Sequence, residues 1–124
     1  MNVAIIEDHI NVRQALREVL EAAGFQVTVA AAAEGTALNP DSLKGADALI
    51  IDMEMPGLDG VTAAELLRKA GYGGFIVLMT GYPNDRLTRR AATAGVDRTV
   101  EKTTCPKELV SIVKAGLSQR AARA

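Results

Sequence analysis

Four short runs of apolar, often β-branched residues and a shorter, more polar fifth segment recur along this chain, and they constrain its fold more than any other feature. They predict strands at Asn2–Ile6, 25–30, Ala48–Asp52, Phe75–Thr80 and Arg98–Glu101. Most of these runs are continuously apolar and do not alternate with polar residues. That pattern is typical of strands buried on both faces of a parallel sheet.

Segments with helical periodicity separate the strands. The apolar face predicted for the first helix consists of Val12, Ala15, Leu16, Val19, Leu20 and Ala23. A second helix face consists of Ala63, Leu66, Leu67 and Ala70. Further helices are predicted at 85–94 and from Pro106 onward, the last with an inner face of Leu109, Ile112, Val113 and Leu117. Glycine and proline would break a long helix in residues 31–47, so one or two short turns are expected there.

This alternation of strands and helices predicts an α/β fold. We expect a doubly wound, five-stranded parallel sheet with strand order 2-1-3-4-5 and about five helices. A chain of 124 residues has room for one such domain with a sizeable core. We assign residues 1–120 to this domain and residues 121–124 to a C-terminal tail.

The composition excludes several classes of protein. Hydrophobic residues make up 48% of the chain and its net charge is −1, which excludes disorder and gives no electrostatic attraction to nucleic acid or anionic membranes. No apolar stretch approaches the roughly 20 residues of a transmembrane helix. Glu7 and Asp8 interrupt the first apolar run where a signal peptide would continue, and the single Cys105 fits a reducing compartment. We therefore expect a cytoplasmic protein with neither nucleic-acid nor membrane partners.

Polar side chains stand where the predicted strands end. Glu7 and Asp8 follow the first strand, Asp52 and Thr80 end the third and fourth, and Lys102 follows the fifth. With strand order 2-1-3-4-5 these residues converge in one crevice at the carboxyl ends of the strands. Three carboxylates at close quarters either share protons or surround a cation, and oxygen ligands with positions left for water suit Mg²⁺.

The same residues predict phosphoryl chemistry. A metal held by carboxylates leaves room for a phosphate oxygen, while the Lys102 ammonium and the Thr80 hydroxyl can contact two others. Asp52 is then the natural nucleophile, because carboxylates attack phosphorus to give an aspartyl-phosphate. With water as the attacking group, the same arrangement hydrolyses the product.

Several motifs together resemble the receiver domain of two-component response regulators. They are Ile5-Ile6-Glu7-Asp8-His9, the stretch from Ile50 through Asp52 and Met55-Pro56-Gly57 to Asp59-Gly60, Met79-Thr80-Gly81, and Ala94-Gly95-Val96-Asp97 before Lys102. The resemblance covers essentially the whole chain, and the order and separation of the motifs make it specific.

The resemblance implies a flavodoxin-like fold and a function. It implies phosphorylation of Asp52 by a histidine kinase or a histidine phosphotransfer protein. It places Mg²⁺ at Glu7, Asp8, Asp52 and the backbone carbonyl of Glu54, with Thr80 and Lys102 as switch and phosphate-contact residues. The protein is then a phosphorylation-controlled switch or phosphorelay intermediate that acts on a downstream protein target, and it is not an enzyme in the usual sense.

Two positions depart from the receiver pattern. Receivers usually have Tyr or Phe where this chain has Thr99, and a proline, often after a cis bond, where it has Thr103. The usual aromatic readout therefore cannot operate at Thr99. Tyr82 is the aromatic residue nearest Thr80 in sequence, and it and Glu54 are expected to flank the path of the attacking water. We predict that these two side chains make the phosphorylated form long-lived.

Other residues have simpler assignments. Pro56 and Gly57 shape the turn after the third strand, Asp59 is a candidate helix cap, and His9 is expected to be an exposed residue that opens the first helix.

A basic helix face is the candidate partner surface. Arg86, Arg89 and Arg90 lie on one short predicted helix, where they form either an ordinary solvated face or a docking face for an acidic partner. In receivers, this helix, the fifth strand and the last helix form the face where protomers pair. We expect a stand-alone receiver that is a monomer or a weak homodimer through that face.

Two alternatives stay open. A degenerate receiver would bind partners without phosphorylation, which Thr99 and Thr103 leave possible. A phosphatase of the haloacid dehalogenase type also uses an aspartate nucleophile. Against it, its second acid is Asp where this chain has Glu54, its motif lies on the first strand, and its chain is longer.

Overall fold

In a computed structural model, which describes residues 1–30 and 43–123, the five predicted strands form one parallel sheet. The strands are β1 (Asn2–Ile6), β2 (Gln26–Ala30), β3 (Ala48–Asp52), β4 (Phe75–Thr80) and β5 (Arg98–Glu101). Their order is β2-β1-β3-β4-β5, which confirms the predicted flavodoxin-like topology. β2 starts one residue later than predicted, because the Phe25 amide donates to the Leu20 carbonyl at the end of the preceding helix.

Four helices cover the sheet in the part of the chain that the structure describes. They are α1 (Ile10–Ala22), α2 (Gly60–Lys69), α3 (Asp85–Thr93) and α4 (Pro106–Arg123). About five helices were expected, and most of the segment predicted to hold short turns, residues 31–42, lies outside the described residues.

Two apolar cores lie on opposite faces of the sheet, because successive side chains of a strand point to opposite sides. In β3, Leu49 and Ile51 pack on the side of α2 and α3, whereas Ile50 packs on the side of α1 and α4. All three side chains are at most 1% exposed. Burial of each such side chain contributes about 1.5–3 kcal/mol. The continuously apolar strands are thus explained by a sheet covered on both faces.

The predicted helix faces are partly wrong. Val12 is 43% and Leu66 is 47% exposed, and Ala15 and Ala70 are exposed as well. Val12 and Ala15 line an open groove of about 410 Å³ whose other walls include Leu109 of α4 and Ile5 and Ile50 of the sheet, so both stay accessible to solvent. No helix among the described residues is both long and apolar enough to cross a membrane.

The turn between β3 and α2 brings the helix close to the end of the strand. A Cβ atom on Gly60 would lie 2.6 Å from the Asp52 carbonyl oxygen and 2.6 Å from a Leu78 methyl carbon, so this position requires glycine. Gly57 adopts φ 80°, which favours glycine, and the Asp59 carboxylate accepts from the Thr62 amide at 2.8 Å. These contacts confirm that the turn residues shape the site and that Asp59 caps α2.

Candidate functional site

The strands place all the predicted site residues at one edge of the sheet, which we call the carboxyl edge. Glu7 and Asp8 follow β1, Asp52 ends β3, Thr80 ends β4 and Lys102 follows β5. Because β1, β3, β4 and β5 are adjacent and parallel, their last residues lie side by side. The predicted convergence of these five residues is therefore seen in the structure.

Asp52 is a buried carboxylate, 2% exposed, with its two oxygens in different surroundings. Its Oδ1 lies 2.7 Å from the Lys102 ammonium and accepts from the Glu54 amide at 3.2 Å. Its Oδ2 is buried and accepts no hydrogen bond from the described residues when the neighbouring Glu7 is ionised. A buried anionic oxygen without a partner is costly, which indicates that this atom is arranged for a ligand or for reaction.

A second group of acidic side chains faces Asp52 from β1. Glu7 is 3% exposed, and its Oε1 accepts from the His9 amide at 3.2 Å. Burial and the neighbouring Asp52 carboxylate raise the pKa of Glu7 to about 7. Potential ligand atoms of Glu7, Asp8 and His9 lie within 4.8 Å of one another. The prediction for His9 was an exposed residue at the start of α1, and it is exposed and precedes that helix.

These residues fit a divalent cation. Asp8 Oδ1, like Asp52 Oδ2, is buried without a hydrogen-bond partner in the described part of the chain. Asp8 and Asp52 each neighbour the buried Glu7, and a hard cation with oxygen ligands relieves the repulsion between such neighbouring carboxylates. Glu7, Asp8 and Asp52 would hold Mg²⁺, with His9 as an additional nearby donor.

The Glu54 side chain, which was predicted to flank the path of the attacking water, makes three contacts in the site that sequence reasoning did not predict. Its Oε2 accepts from the Thr80 hydroxyl at 2.7 Å, and its Oε1 accepts from the Gly81 amide at 2.9 Å. The same Oε1 lies 3.2 Å from the Lys102 ammonium. Partial burial would raise the pKa of Glu54, but these three donors outweigh it and lower that pKa. Burial likewise opposes the charge on Lys102, and its contacts with Asp52 and Glu54 nevertheless raise its pKa.

The comparison with known families agrees with this geometry. A family model described as the response regulator receiver domain matches residues 3–114. This chain belongs to the response regulator receiver domain family.

Relatives of this receiver domain include longer regulators. It is 27% identical over 115 residues to the DNA-binding transcriptional activator EvgA of Escherichia coli strain K12, covering 93% of this chain and 56% of EvgA. It is 27% identical over 116 residues to the response regulator UvrY of the same strain, covering 93% of this chain and 53% of UvrY. The chain thus spans about half the length of these curated relatives. The expectations of a stand-alone protein and of no nucleic-acid partner stay predictions.

The fold of the receiver domain also matches solved structures. The CheY-like receiver domain protein from Methanospirillum hungatei JF-1 superposes with a TM-score of 0.88 at 22% identity, covering 99% of this chain and 98% of that one. At this level of identity the match concerns the fold alone.

The two positions that depart from the receiver pattern lie beside the site. Thr99 is half-buried in β5, and all peptide bonds of the described residues are trans, including the bond from Lys102 to Thr103. Tyr82 is 76% exposed, and its backbone amide donates to the Thr80 hydroxyl oxygen at 3.1 Å. Tyr82 therefore contacts the site through its backbone, while its ring faces solvent.

The three arginines of α3 are not equivalent. All three are exposed, but Arg90 also lies 3.0 Å from the carboxylate of Asp59, the cap of α2. Arg90 therefore links α3 to α2, and Arg86 and Arg89 carry the outward charge of the predicted basic face.

Sequence reasoning missed one other member of the site, the Gly81 amide. A residue that follows a strand-terminal threonine is a candidate donor, because its amide has left the sheet ladder. The sequence carries that positional signal, but the direction of the amide comes only from the loop conformation.

Proposed function

We propose that this receiver domain is a phosphorylation-controlled switch or phosphorelay intermediate, in which Asp52 accepts a phosphoryl group from a phosphohistidine. The observation that carries the proposal is the Asp52 carboxylate, buried and held at Oδ1 by Lys102, with Oδ2 lacking a partner among the described residues. A carboxylate oxygen attacks phosphorus, the phosphorus–nitrogen bond of the donor breaks, and the donor imidazole leaves as a neutral ring after taking up a proton. A histidine kinase or a histidine phosphotransfer protein supplies that donor.

The residues around Asp52 have different roles in this transfer. The Lys102 ammonium offsets negative charge, and the Thr80 hydroxyl and Gly81 amide can each donate one hydrogen bond to a phosphoryl oxygen. Glu7 and Asp8, with Asp52 and the backbone carbonyl of Glu54, are the proposed Mg²⁺ ligands. When bound, the metal neutralises charge and orients the phosphoryl group.

The test is the intact mass of the protein after incubation with Mg²⁺ and acetyl phosphate. We expect the wild type to gain one phosphoryl group, and Asp52→Asn to gain none. Asp85→Asn, which changes an exposed aspartate at the start of α3, is the matched control and should gain the group as the wild type does.

Omission of Mg²⁺ distinguishes the role of the metal ion from the role of Asp52 as the phosphoryl acceptor. The gain should disappear in chelator and should be strongly slowed in Asp8→Asn. A wild type that gains no phosphoryl group, from acetyl phosphate or from a cognate kinase, would contradict the proposal and favour a degenerate receiver.

The downstream target is proposed to be an acidic protein surface, since Arg86 and Arg89 present exposed positive charge. α3, β5 and α4 are the proposed docking face for that target or for a second copy of the chain, in the cytoplasm. Glutamate at both arginines should weaken phosphorylation-dependent binding by about tenfold, because charge complementarity is reversed. Equal binding by this variant and the wild type would exclude the basic face from recognition.

The lifetime of the phosphorylated form is proposed to depend on Glu54 and Tyr82. Both side chains are open to the solvent from which the attacking water comes, Glu54 at 33% and Tyr82 at 76% exposure, so a negative charge and a bulky ring there would hinder the water. The half-life of phosphorylated protein should shorten in Glu54→Ala and in Tyr82→Ala. Unchanged half-lives in both variants would overturn this part of the proposal.

A further inference from the structure

Three hydrogen-bond donors from two segments of the chain converge on the carboxylate of Glu54. The Thr80 hydroxyl comes from the end of β4, the Gly81 amide from the following loop, and the Lys102 ammonium from the loop after β5. Both oxygens of Glu54 take part, at 2.7 Å, 2.9 Å and 3.2 Å from the three donors. The Glu54 carboxylate is thus bound by the same three donors that, in the proposed function, bind the phosphoryl group.

Two of these donors cannot serve Glu54 and a phosphoryl group at once. A threonine hydroxyl and a backbone amide each have a single hydrogen to donate. Thr80 and Gly81 direct theirs at Glu54. Lys102 has three N–H bonds and already reaches both Asp52 and Glu54, so it is the donor that can be shared. A phosphoryl group on Asp52 can therefore accept hydrogen bonds from Thr80 and Gly81 only when Glu54 no longer accepts them.

Glu54 is placed to leave when that exchange occurs. Its side chain is 33% exposed, whereas that of Asp52 is 1% exposed. Water can therefore solvate the released Glu54 carboxylate, so its departure avoids the cost of an unpaired buried charge. Repulsion from a phosphoryl dianion acts in the same direction.

The contact also fixes the loop that leads into α3. The Thr80 hydroxyl oxygen accepts from the Tyr82 amide at 3.1 Å while it donates to Glu54. Gly81 and Tyr82 are thus both tied to the site before any phosphoryl group is present.

We propose that Glu54 is an internal competitor for the phosphoryl-binding donors, and that phosphorylation of Asp52 exchanges one anion for another at Thr80 and Gly81. This inference rests on the proposed function of Asp52 and deepens it. The unphosphorylated loop is held by Glu54, and the event that phosphorylation produces is the release of the Glu54 side chain.

The test uses beryllofluoride with Mg²⁺ as a phosphoryl mimic, with binding followed by ¹⁹F NMR. Glu54→Ala frees Thr80 and Gly81, so it should bind beryllofluoride about tenfold more tightly than the wild type. The control is Glu101→Ala, which also removes one negative charge. Glu101 lies on β5, where it pairs with Thr80 of β4, and its side chain is exposed. Its affinity should stay near that of the wild type.

A second readout follows the Gly81 amide in ¹⁵N spectra without any ligand. Its proton resonance should move upfield in Glu54→Ala and stay in place in Glu101→Ala, because only the first variant removes its acceptor. Equal beryllofluoride affinity in all three proteins would overturn the competition while leaving Asp52 as the acceptor. Binding by none of them would overturn the proposed function and this inference together.

Discussion

The two ends of the sheet differ in whether their charged side chains find hydrogen-bond partners within the fold. At the carboxyl edge, Asp52 Oδ2 and Asp8 Oδ1 are buried without partners among the described residues. At the opposite end, where β4 and β5 begin and which we call the amino edge, Arg68 directs its guanidinium at four acceptors. They are the carbonyls of Tyr72, Gly74 and Gly95, at 2.8 to 3.0 Å, and the Asp97 carboxylate at 3.0 Å.

This difference distinguishes charged side chains that stabilise the fold from charged side chains that are available to a ligand. Arg68 joins the end of α2 to the loops before β4 and β5, so its contacts are complete within the fold. The same end also holds Arg120, whose Nε lacks a partner among the described residues although its Nη2 lies 3.5 Å from Asp97. At the carboxyl edge the atoms without partners are carboxylate oxygens of two residues that both neighbour Glu7, and the other oxygen of Asp52 lies 2.7 Å from the Lys102 ammonium. The fold alone does not satisfy them, so we interpret them as sites for a cation and a phosphoryl group.

The largest predicted effect on stability is at the amino edge. Arg68→Met removes four hydrogen bonds and leaves several carbonyls without donors, so the free energy of unfolding should fall by about 3 kcal/mol. Urea unfolding measures this, and phosphorylation by acetyl phosphate should persist in the folded variant. Lys69→Met, at the adjacent and exposed position of α2, is the control and should change stability by less than about 0.5 kcal/mol. Similar losses in both variants would contradict a structural role for Arg68.

A smaller effect is expected where α2 approaches the carboxyl edge. Gly60→Ala places a methyl group 2.6 Å from the Asp52 carbonyl oxygen, so the helix must shift, at a cost of about 2 kcal/mol. Because the shift displaces the end of β3, phosphorylation of Asp52 should also slow. Gly45→Ala is the control, since an added Cβ there meets nothing within 4 Å. An unchanged phosphorylation rate in Gly60→Ala would break the link between this contact and the position of Asp52.

The smallest of these effects concerns the cap of α2. Asp59→Ala removes the hydrogen bond to the Thr62 amide and the ion pair with Arg90, which should cost about 1 kcal/mol at neutral pH. Although burial opposes it, hydrogen bonds from Thr62 and Arg90 lower the pKa of Asp59 below its ordinary value of 3.8. Its stabilisation is therefore complete above pH 3.8 and is lost as the pH falls through the lower, folded-state pKa.

The measurement is the free energy of unfolding of Asp59→Ala and of the wild type across this pH range. The two stabilities should converge in acid. Glu65→Ala, on an exposed position of the same helix, should lose less than about 0.5 kcal/mol. A difference between Asp59→Ala and the wild type that grows in acid would contradict the assignment.

The sheet and the members of the site were predictable from the sequence for a simple reason. Strands buried on both faces are continuously apolar, and polar residues at their carboxyl ends must meet at one edge. Asp52, Thr80 and Lys102 follow from this rule alone. The exposure of Val12 and Leu66 does not, since periodicity shows that residues share a helix face but not how closely the neighbouring elements pack against that face.

The contacts of Glu54 and Arg68 could not be read from the sequence either. Glu54 was predicted to act through its backbone carbonyl and as a barrier to water, but the direction of its carboxylate depends on a side-chain rotamer. Arg68 lies in a helix among other charged residues, and its acceptors are backbone carbonyls, which carry no residue-type signal.

If the partnerless carboxylates of the carboxyl edge form a cation site, Mg²⁺ stabilises the folded protein, and the urea midpoint with and without Mg²⁺ measures that stabilisation. A ligand that binds only the folded state stabilises it, by about 1.4 kcal/mol at ten times its dissociation constant. We predict that Mg²⁺ raises the midpoint of the wild type and of Asp85→Asn, and leaves that of Asp8→Asn unchanged. A wild-type midpoint that does not respond to Mg²⁺, or an equal response in Asp8→Asn, would show that these carboxylates do not form the cation site.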